Sequence, residues 1–165
     1  MTVFTKSMWG AGAALVLLMT QAAAAQSLSS EDRKFMEDAA KGGMMEVHMG
    51  QMGLKHGDSS GVKSFSQRLI DDHSKGNREL QALAQKKGVT LPVDNPSDMP
   101  KGLEAKSGAA FDREFAANAV EDHQKDIKEF EQEAKSGSDP DVKNWATKTL
   151  PTLQAHLDAA RALNK

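Results

Sequence analysis

The sequence feature that most constrains the fold is an internal repeat with an offset of 80 residues. Shifting the chain by this offset aligns similar residues in both halves without a gap. The aligned pairs are Asp32 with Asp112, Phe35 with Phe115, Ala39 with Ala119, Gly57 with Gly137, Val62 with Val142 and Phe65 with Trp145. One register that covers both halves predicts two similar helical hairpins related by a pseudo-twofold axis.

Apolar residues recur at helical spacing through both halves and predict four long helices. Ser29 and Asp139 are the expected N-caps of the first and fourth helices. The expected helices cover about residues 29–56, 59–87, 109–136 and 139–163. The segment 88–108 contains three prolines and is long enough to cross from one end of a bundle to the other. The expected fold is therefore all-α, a ferritin-like four-helix bundle of two hairpins joined by a long crossover.

The first 25 residues differ from the rest of the chain. Their one charged side chain is Lys6, an apolar run covers residues 11–19, and four alanines precede Gln26. This pattern predicts a signal peptide over residues 1–25 and a single mature domain over 26–165. The alternative is a retained anchor, but the apolar run is shorter than a membrane span. We expect a periplasmic or secreted protein that is not inserted in the membrane after cleavage.

Composition excludes several classes of function. Of 21 basic side chains one is Lys6, which leaves 20 against 23 acidic side chains and argues against nucleic acid as a partner. The chain has no cysteine, and it also lacks a Gly-x-Ser-x-Gly motif and a phosphate-binding loop. Nucleophilic catalysis therefore has no support in the sequence. We do not expect an enzyme; if the protein is one, a metal-dependent oxidoreductase is the expected class.

Each predicted helix carries a side chain that can bind a metal on its apolar face, near the middle of the helix. The candidate metal ligands are Glu46, His73, His123, Asp126 and His156. Three imidazoles with one or two carboxylates suit one divalent transition metal, such as zinc, iron or manganese. A di-iron carboxylate site is less consistent, because no glutamate stands three residues before these histidines. The alternative is a hydrogen-bonded polar layer without a metal.

The first helix carries a second pattern of soft ligands. Met44, His48 and Met52 recur every four residues, with Met45 and His56 nearby. Thioether and imidazole suit copper(I), which makes copper a less favoured alternative to the core metal. Methionine faces also serve as packing surface. This face could therefore contact the segment 89–108 or form a homodimer.

Several short motifs together resemble a known family. They are Phe35-x-x-x-Ala39, Glu46-Val47, Val62-Lys63-x-Phe65, Asp72-His73, Phe111-Asp112-Arg113, Asp122-His123 and Leu150-Pro151-x-Leu153-x-x-His156-Leu157. Over residues 31–163 the chain resembles the bacterial exported family known as domain of unknown function 4142, whose members are often labelled outer membrane proteins. The resemblance implies a ferritin-like bundle outside the cytoplasm and allows metal binding through inward Glu and His residues. It implies no established reaction, and the methionine-rich segment is not part of the family pattern.

The sequence thus predicts an exported four-helix bundle that binds one transition metal in its core and serves metal handling or envelope stress tolerance. The main alternative is a structural or interaction module of the cell envelope, in which the polar layer fixes the register of the helices. Copper binding through the Met/His stripe of the first helix is a third hypothesis.

Overall fold

The computed structural model describes residues 28–95 and 102–163, and this part of the chain forms four long helices. The helices are α1 (Ser30–His56), α2 (Ser60–Lys87), α3 (Gly108–Ser136) and α4 (Pro140–Leu163), with a short 3-10 helix at Leu103–Ala105. The predicted all-α bundle is confirmed, and each helix boundary lies within one residue of its expected position. The predicted signal peptide, residues 1–25, lies outside the described residues. None of the described helices combines the length and the apolar character that a membrane span needs.

Helix boundaries follow from local hydrogen bonds that the sequence encodes. The hydroxyl of Ser29 accepts a hydrogen bond from the backbone N–H of Asp32, and Ser59 does the same at the start of α2. Asp139 accepts hydrogen bonds from two backbone N–H groups in the first turn of α4. α2 ends at Gly88, whose φ of 67° is in the left-handed region that favours glycine.

The helices pack as two hairpins. α1 packs mainly on α2 and α3 on α4, and contacts of α2 with α4 and of α1 with α3 join the hairpins. The crossover is held at both described ends. Val89 packs into an apolar cluster with residues of α1, α2 and α4, and Leu103 is fully buried beside Phe111 and Phe115.

Aromatic packing repeats between the hairpins with the predicted register. The ring centroids of Phe35 and Trp145 lie 6.0 Å apart, and those of Phe65 and Phe115 lie 6.1 Å apart. The offset of 80 residues converts one pair into the other. Their burial differs, because Phe115 is fully buried whereas Phe35 and Trp145 are partly exposed. Truncation of Trp145 should therefore cost less than the 3–5 kcal/mol that is typical of a fully buried aromatic residue.

Each hairpin also supplies a carboxylate to the turn of the other. The carboxylate of Asp32 accepts hydrogen bonds from the backbone N–H groups of Ser138 and Asp139, at 2.9 and 3.0 Å. Asp112 accepts the equivalent bonds from Asp58 and Ser59, at 2.9 and 2.8 Å. Residues separated by 80 positions therefore make the same contact in opposite directions. This reciprocity supports the pseudo-twofold relation between the hairpins.

Candidate metal centre

Three of the predicted ligands meet in the middle of the bundle. His73 on α2, His123 on α3 and His156 on α4 each offer one ring nitrogen, and these atoms all lie within 4.8 Å of one another. The ring centroids are separated by 5.2 to 5.7 Å. His123 and His156 are fully buried, whereas His73 is partly exposed. We call these residues the histidine trio.

The hydrogen bonds of the trio determine where its protons lie. Nδ1 of His123 is 2.9 Å from the carbonyl oxygen of Ala119, which can only accept, so Nδ1 carries the proton. Nε2 of His156 is 2.8 Å from the carboxylate of Asp72 and donates to it. In neutral imidazoles the remaining nitrogens, Nε2 of His123 and Nδ1 of His156, then hold lone pairs. These two atoms face each other at 3.2 Å.

Two acceptor nitrogens at this distance need a positive charge between them. That charge can be an added proton or a metal ion. Burial, together with the nearby His156, lowers the pKa of His123 to about 4. Burial also lowers the pKa of His156, although Asp72 partly offsets the shift. A proton is therefore disfavoured at neutral pH, and the two facing lone pairs could instead hold a metal ion.

His73 supplies a third ring nitrogen near the two that face each other. Nε2 of His73 is buried and makes no hydrogen bond to the described residues. Burial and the neighbouring imidazoles lower the pKa of His73 well below its usual value, so its ring is neutral at pH 7. Metal-bound imidazoles in proteins typically donate their second ring N–H to a carbonyl or a carboxylate. His123 and His156 already show that pattern through Ala119 and Asp72.

Distances and surroundings suit a small ion. Zn–N bonds of about 2.0–2.1 Å in a tetrahedron place neighbouring nitrogens about 3.3 Å apart, close to the observed 3.2 Å. The three ligand nitrogens all lie within 4.8 Å of one another, so the full set is wider than a tetrahedral zinc site. Phe65 packs on the trio, with its ring centroid 6.1 Å from that of His156 and 6.5 Å from that of His123. The apolar ring keeps this side of the site dry.

Glu46 lies next to the trio but outside the group that the structure brings together. Its Oε1 is 3.4 Å from Nδ1 of His123, the nitrogen that already donates to Ala119. The side chain is 1% exposed, and neither oxygen has a hydrogen-bond partner among the described residues. Burial, with smaller contributions from Asp126 and Asp122, raises the pKa of Glu46 well above its usual range. Burial therefore favours the protonated form of Glu46, which lies behind His123.

Asp126 also lies outside the trio. It lines a cavity of about 50 Å³ that Gly42 borders as well, and a Cβ at Gly42 would lie 4.0 Å from both carboxylate oxygens. Burial raises the pKa of Asp126 to about 7, and nearby Glu129 adds to the shift. The structure thus brings together three of the five expected ligands and leaves Glu46 and Asp126 at separate positions around them.

Asp72 is the site residue whose contact the sequence did not predict. Helical spacing places Asp72 at the edge of the apolar face, next to His73, and does not show which helix it meets. In the structure it accepts the Nε2 proton of His156 from α4 and lies 3.4 Å from Nε of Arg68. The Asp72-His73 dipeptide is the sequence feature that could have indicated this role of Asp72. Its two adjacent residues on α2 contribute the carboxylate and one imidazole of the site.

The methionine face of α1 forms a separate small cavity. Met44, Met45 and His48 line it together with Val93 and Asp94 of the crossover. Nε2 of His48 is 2.9 Å from both carboxylate oxygens of Asp94. Met52 packs instead against the apolar cluster around Met49 and Phe65. The face therefore packs against the start of the crossover, which is one of its expected roles.

Comparison with known proteins identifies the family and the fold. The family model of DUF4142, a domain of unknown function, matches residues 17–163. No curated protein matches the sequence. The chain is similar to the DUF305 fragment from Deinococcus radiodurans, with a TM-score of 0.72 and 13% identity, over 83% of this chain and 97% of that one.

Two further structures share the bundle fold. CopM in its Cu(I)-bound form has a TM-score of 0.67 and 16% identity, over 79% of this chain and 93% of that chain. A conserved hypothetical protein from Mycobacterium tuberculosis has a TM-score of 0.66 and 15% identity, over 82% and 98%. Because the family model covers most of the sequence, this chain belongs to the DUF4142 family.

Proposed function

We propose that this protein binds one divalent transition-metal ion in the core of the bundle, through His73, His123 and His156. The single observation that carries the proposal is the 3.2 Å approach of Nε2 of His123 and Nδ1 of His156. The other nitrogen of each ring is already committed as a donor, so both facing nitrogens hold lone pairs. A metal ion would satisfy both lone pairs and the unpartnered Nε2 of His73 at once.

The ligand set narrows the choice of metal. Three neutral imidazoles favour zinc or iron over manganese, which prefers oxygen ligands. Copper(II) would bind a site of this kind more tightly still wherever it is available. CopM, which shares the fold, has structures in Cu(I)-bound and Cu(II)-bound forms, and this likeness supports metal handling as the class of function.

We place this activity outside the cytoplasm, in metal handling or envelope stress tolerance. The proposed location rests on the signal-peptide pattern of residues 1–25. Intact mass of the exported protein should show a mature N-terminus at Gln26. A membrane-embedded species that retains Met1 would contradict this location.

The metal proposal is tested by binding measurements on protein purified without a histidine tag. Titration calorimetry and elemental analysis should show one equivalent of zinc or iron per chain, and a higher Tm with metal than without. His156→Ala should abolish binding, whereas His48→Ala, outside the trio, should leave it unchanged. Asp72→Asn should weaken affinity by about 10–100-fold, because Asp72 orients His156.

Two outcomes would contradict the proposal. Stoichiometric binding that survives the combined His73→Ala and His156→Ala change would place the metal elsewhere. Absence of binding for zinc, iron, manganese and copper at micromolar concentrations would favour the alternative, a structural or interaction module of the envelope. In that case the polar groups around His123 would serve to fix helix register.

A second candidate function is soft-metal binding on the methionine face. Met44, Met45 and His48 share one small cavity, and the carboxylate of Asp94 holds Nε2 of His48. CopM also has structures in a Cu(I)-bound and a silver-bound form. The combined Met44→Leu and His48→Ala variant should then lose silver(I) binding and keep zinc binding. Loss of silver(I) binding from His156→Ala instead would assign both metals to the trio.

A further inference from the structure

A cavity of about 50 Å³ lies beside His73 in the middle of the bundle. Its wall also includes Gly43 of α1 and Gly76 of α2. His123 and His156 are fully buried, whereas His73 is partly exposed and is the member of the described trio that lines the cavity. The trio therefore approaches solvent on the side of His73, where this cavity lies.

Part of the cavity lies where one half of the repeat lacks a side chain that the other half carries. The offset of 80 residues pairs His123 with Gly43 and His156 with Gly76. A Cβ on Gly43 would lie 2.0 Å from Oδ1 of Asn77, so that place is filled by a neighbour. A Cβ on Gly76 would meet no atom within 4 Å. Gly76 thus leaves open the space that an imidazole occupies in the related position.

The cavity wall has the sign of charge that favours a cation. Four carboxylates line it, and the described lining residues include no lysine or arginine. They belong to Asp38, Asp72, Asp126 and Glu129. Three of these also pair with a basic side chain one turn earlier on the same helix, namely Lys34, Arg68 and Lys125. The fourth, Asp126, has its pKa raised by burial to about 7, so it is partly ionised at neutral pH and leaves a small negative charge that favours a cation over an anion.

We propose that this cavity is the port through which the metal ion reaches and leaves the histidine trio. The inference rests on the proposed function, since a port needs a metal site behind it. Three imidazoles leave one position of a tetrahedral ion open, and an open position is the mark of a site that exchanges its ligand. The cavity next to His73 provides a route from solvent to that position. The ion could then be approached from the side of the cavity, whereas a closed structural site has no such side.

A port controls rates and leaves the equilibrium unchanged. Filling it with a side chain should slow association and dissociation by the same factor, because the bound and free states are unaltered. Gly76→Leu is the suitable change, since the space at Gly76 is open and leucine favours a helix more than glycine does. With Co²⁺ as the probe, stopped-flow absorbance should show both rates reduced on the order of tenfold. The Kd from equilibrium titration should stay within about threefold of the unmodified value.

Ala82→Leu is the matched control, because Ala82 is an exposed residue of the same helix that does not line the cavity. This variant should retain both unmodified rates. Unchanged rates of Co²⁺ association and dissociation in Gly76→Leu would contradict the port proposal. A change confined to the dissociation rate would contradict it as well. Absence of Co²⁺ binding by the unmodified protein would overturn the three-histidine site itself, and the port with it.

A second variant tests the port through its charge, in case Gly76→Leu does not fold. Asp126→Asn removes one carboxylate from the wall and hardly changes its shape. At about pH 8, where Asp126 with its pKa of about 7 is mostly ionised, this change should slow the association of Co²⁺ at low ionic strength and weaken its dependence on salt. An association rate that is insensitive both to salt and to Asp126→Asn would contradict passage through this cavity.

Discussion

The two halves of the bundle agree at their ends and differ in the middle. At the ends, Asp32 and Asp112 make equivalent hydrogen bonds to the turn of the opposite hairpin. In the middle, two histidines of the second half correspond to Gly43 and Gly76 of the first. The repeated positions hold the hairpins together, whereas the polar centre occurs once. The helical scaffold is therefore symmetric, whereas the residues that could bind a metal lie where the two halves differ.

The largest expected effect concerns Phe115 and its counterpart in the repeat, Phe35, which differ in burial. Phe115→Ala should lower the free energy of unfolding by about 3–5 kcal/mol, because the side chain is fully buried. Phe35→Ala, its counterpart, should cost about half as much, since Phe35 is partly exposed. Urea denaturation of both metal-free variants measures the difference. Equal costs would show that the two halves pack more alike than their exposure indicates.

The second effect concerns the reciprocal carboxylates. Asp32→Ala should cost about 2–3 kcal/mol, since the buried carboxylate accepts two backbone N–H bonds. Asp112→Ala should cost about 1 kcal/mol, because its site is partly exposed. Burial tends to raise both pKa values, but the hydrogen bonds outweigh it and lower them. The stabilisation is therefore complete above the usual pKa of an aspartate and is lost as pH falls through the lowered value. Chemical denaturation between pH 7 and pH 3 measures this loss, and a cost of Asp32→Ala that is independent of pH would contradict it.

The third effect concerns Glu46 and its counterpart Asp126. Burial raises the pKa of Glu46 well above its usual value and that of Asp126 to about 7. The unfolded chain releases these protons near pH 4 to 5, whereas the folded chain keeps them to higher pH, so stability falls as pH rises between the two values. Glu46→Gln should remove a slope of up to about 1.4 kcal/mol per pH unit. Urea denaturation of metal-free protein between pH 5 and pH 8 measures it.

Glu31→Gln is the control for this comparison, because Glu31 is an exposed residue of the same helix. It should follow the pH dependence of the unmodified protein. Asp126→Asn should reduce the pH dependence of the free energy of unfolding up to about pH 7 and have no further effect above that pH. Parallel curves for Glu46→Gln and the unmodified protein would mean that Glu46 is ionised in the folded chain.

The smallest effect is the response of metal affinity to mild acid. The pKa values of all three imidazoles are lowered, that of His123 to about 4. Protons therefore compete with the metal at lower pH than three unshifted histidines would require. Between about pH 7.5 and 6.5 the affinity for zinc should fall less than about twofold, whereas unshifted imidazoles would lose about sixfold. Calorimetric titration across this range distinguishes the two cases.

The scaffold could be predicted from the sequence because its signals are local. The hydroxyl of Ser29, the glycine at position 57 and the Asp139-Pro140 pair act within one or two turns of the helix they begin or end. The 80-residue register then relates one hairpin to the other. Periodicity also places His73, His123 and His156 on inner faces, and the structure brings these three together.

The finer arrangement of the centre could not be predicted, because it depends on height and rotation between helices. Asp126 shares a face with His123 but lies three residues further along, about 4.5 Å up the axis. Glu46 meets the ring of His123 from the side of Nδ1, away from the other imidazoles. The contact between Asp72 and His156 joins residues 84 positions apart, and it depends on how α4 packs on α2.

The reciprocal carboxylates bear on how such a chain could arise. One hairpin contains both the aspartate and the turn that a second copy would need, so two identical hairpins could assemble with every one of these bonds made between chains. Fusion of the two copies turns the dimer into a monomer without altering the bonds at the ends. From then on a histidine gained at position 156 no longer imposes one on position 76. A single centre, with open space at the equivalent position of the other half, can therefore evolve in a fused gene but not in a homodimer, whose two chains are identical.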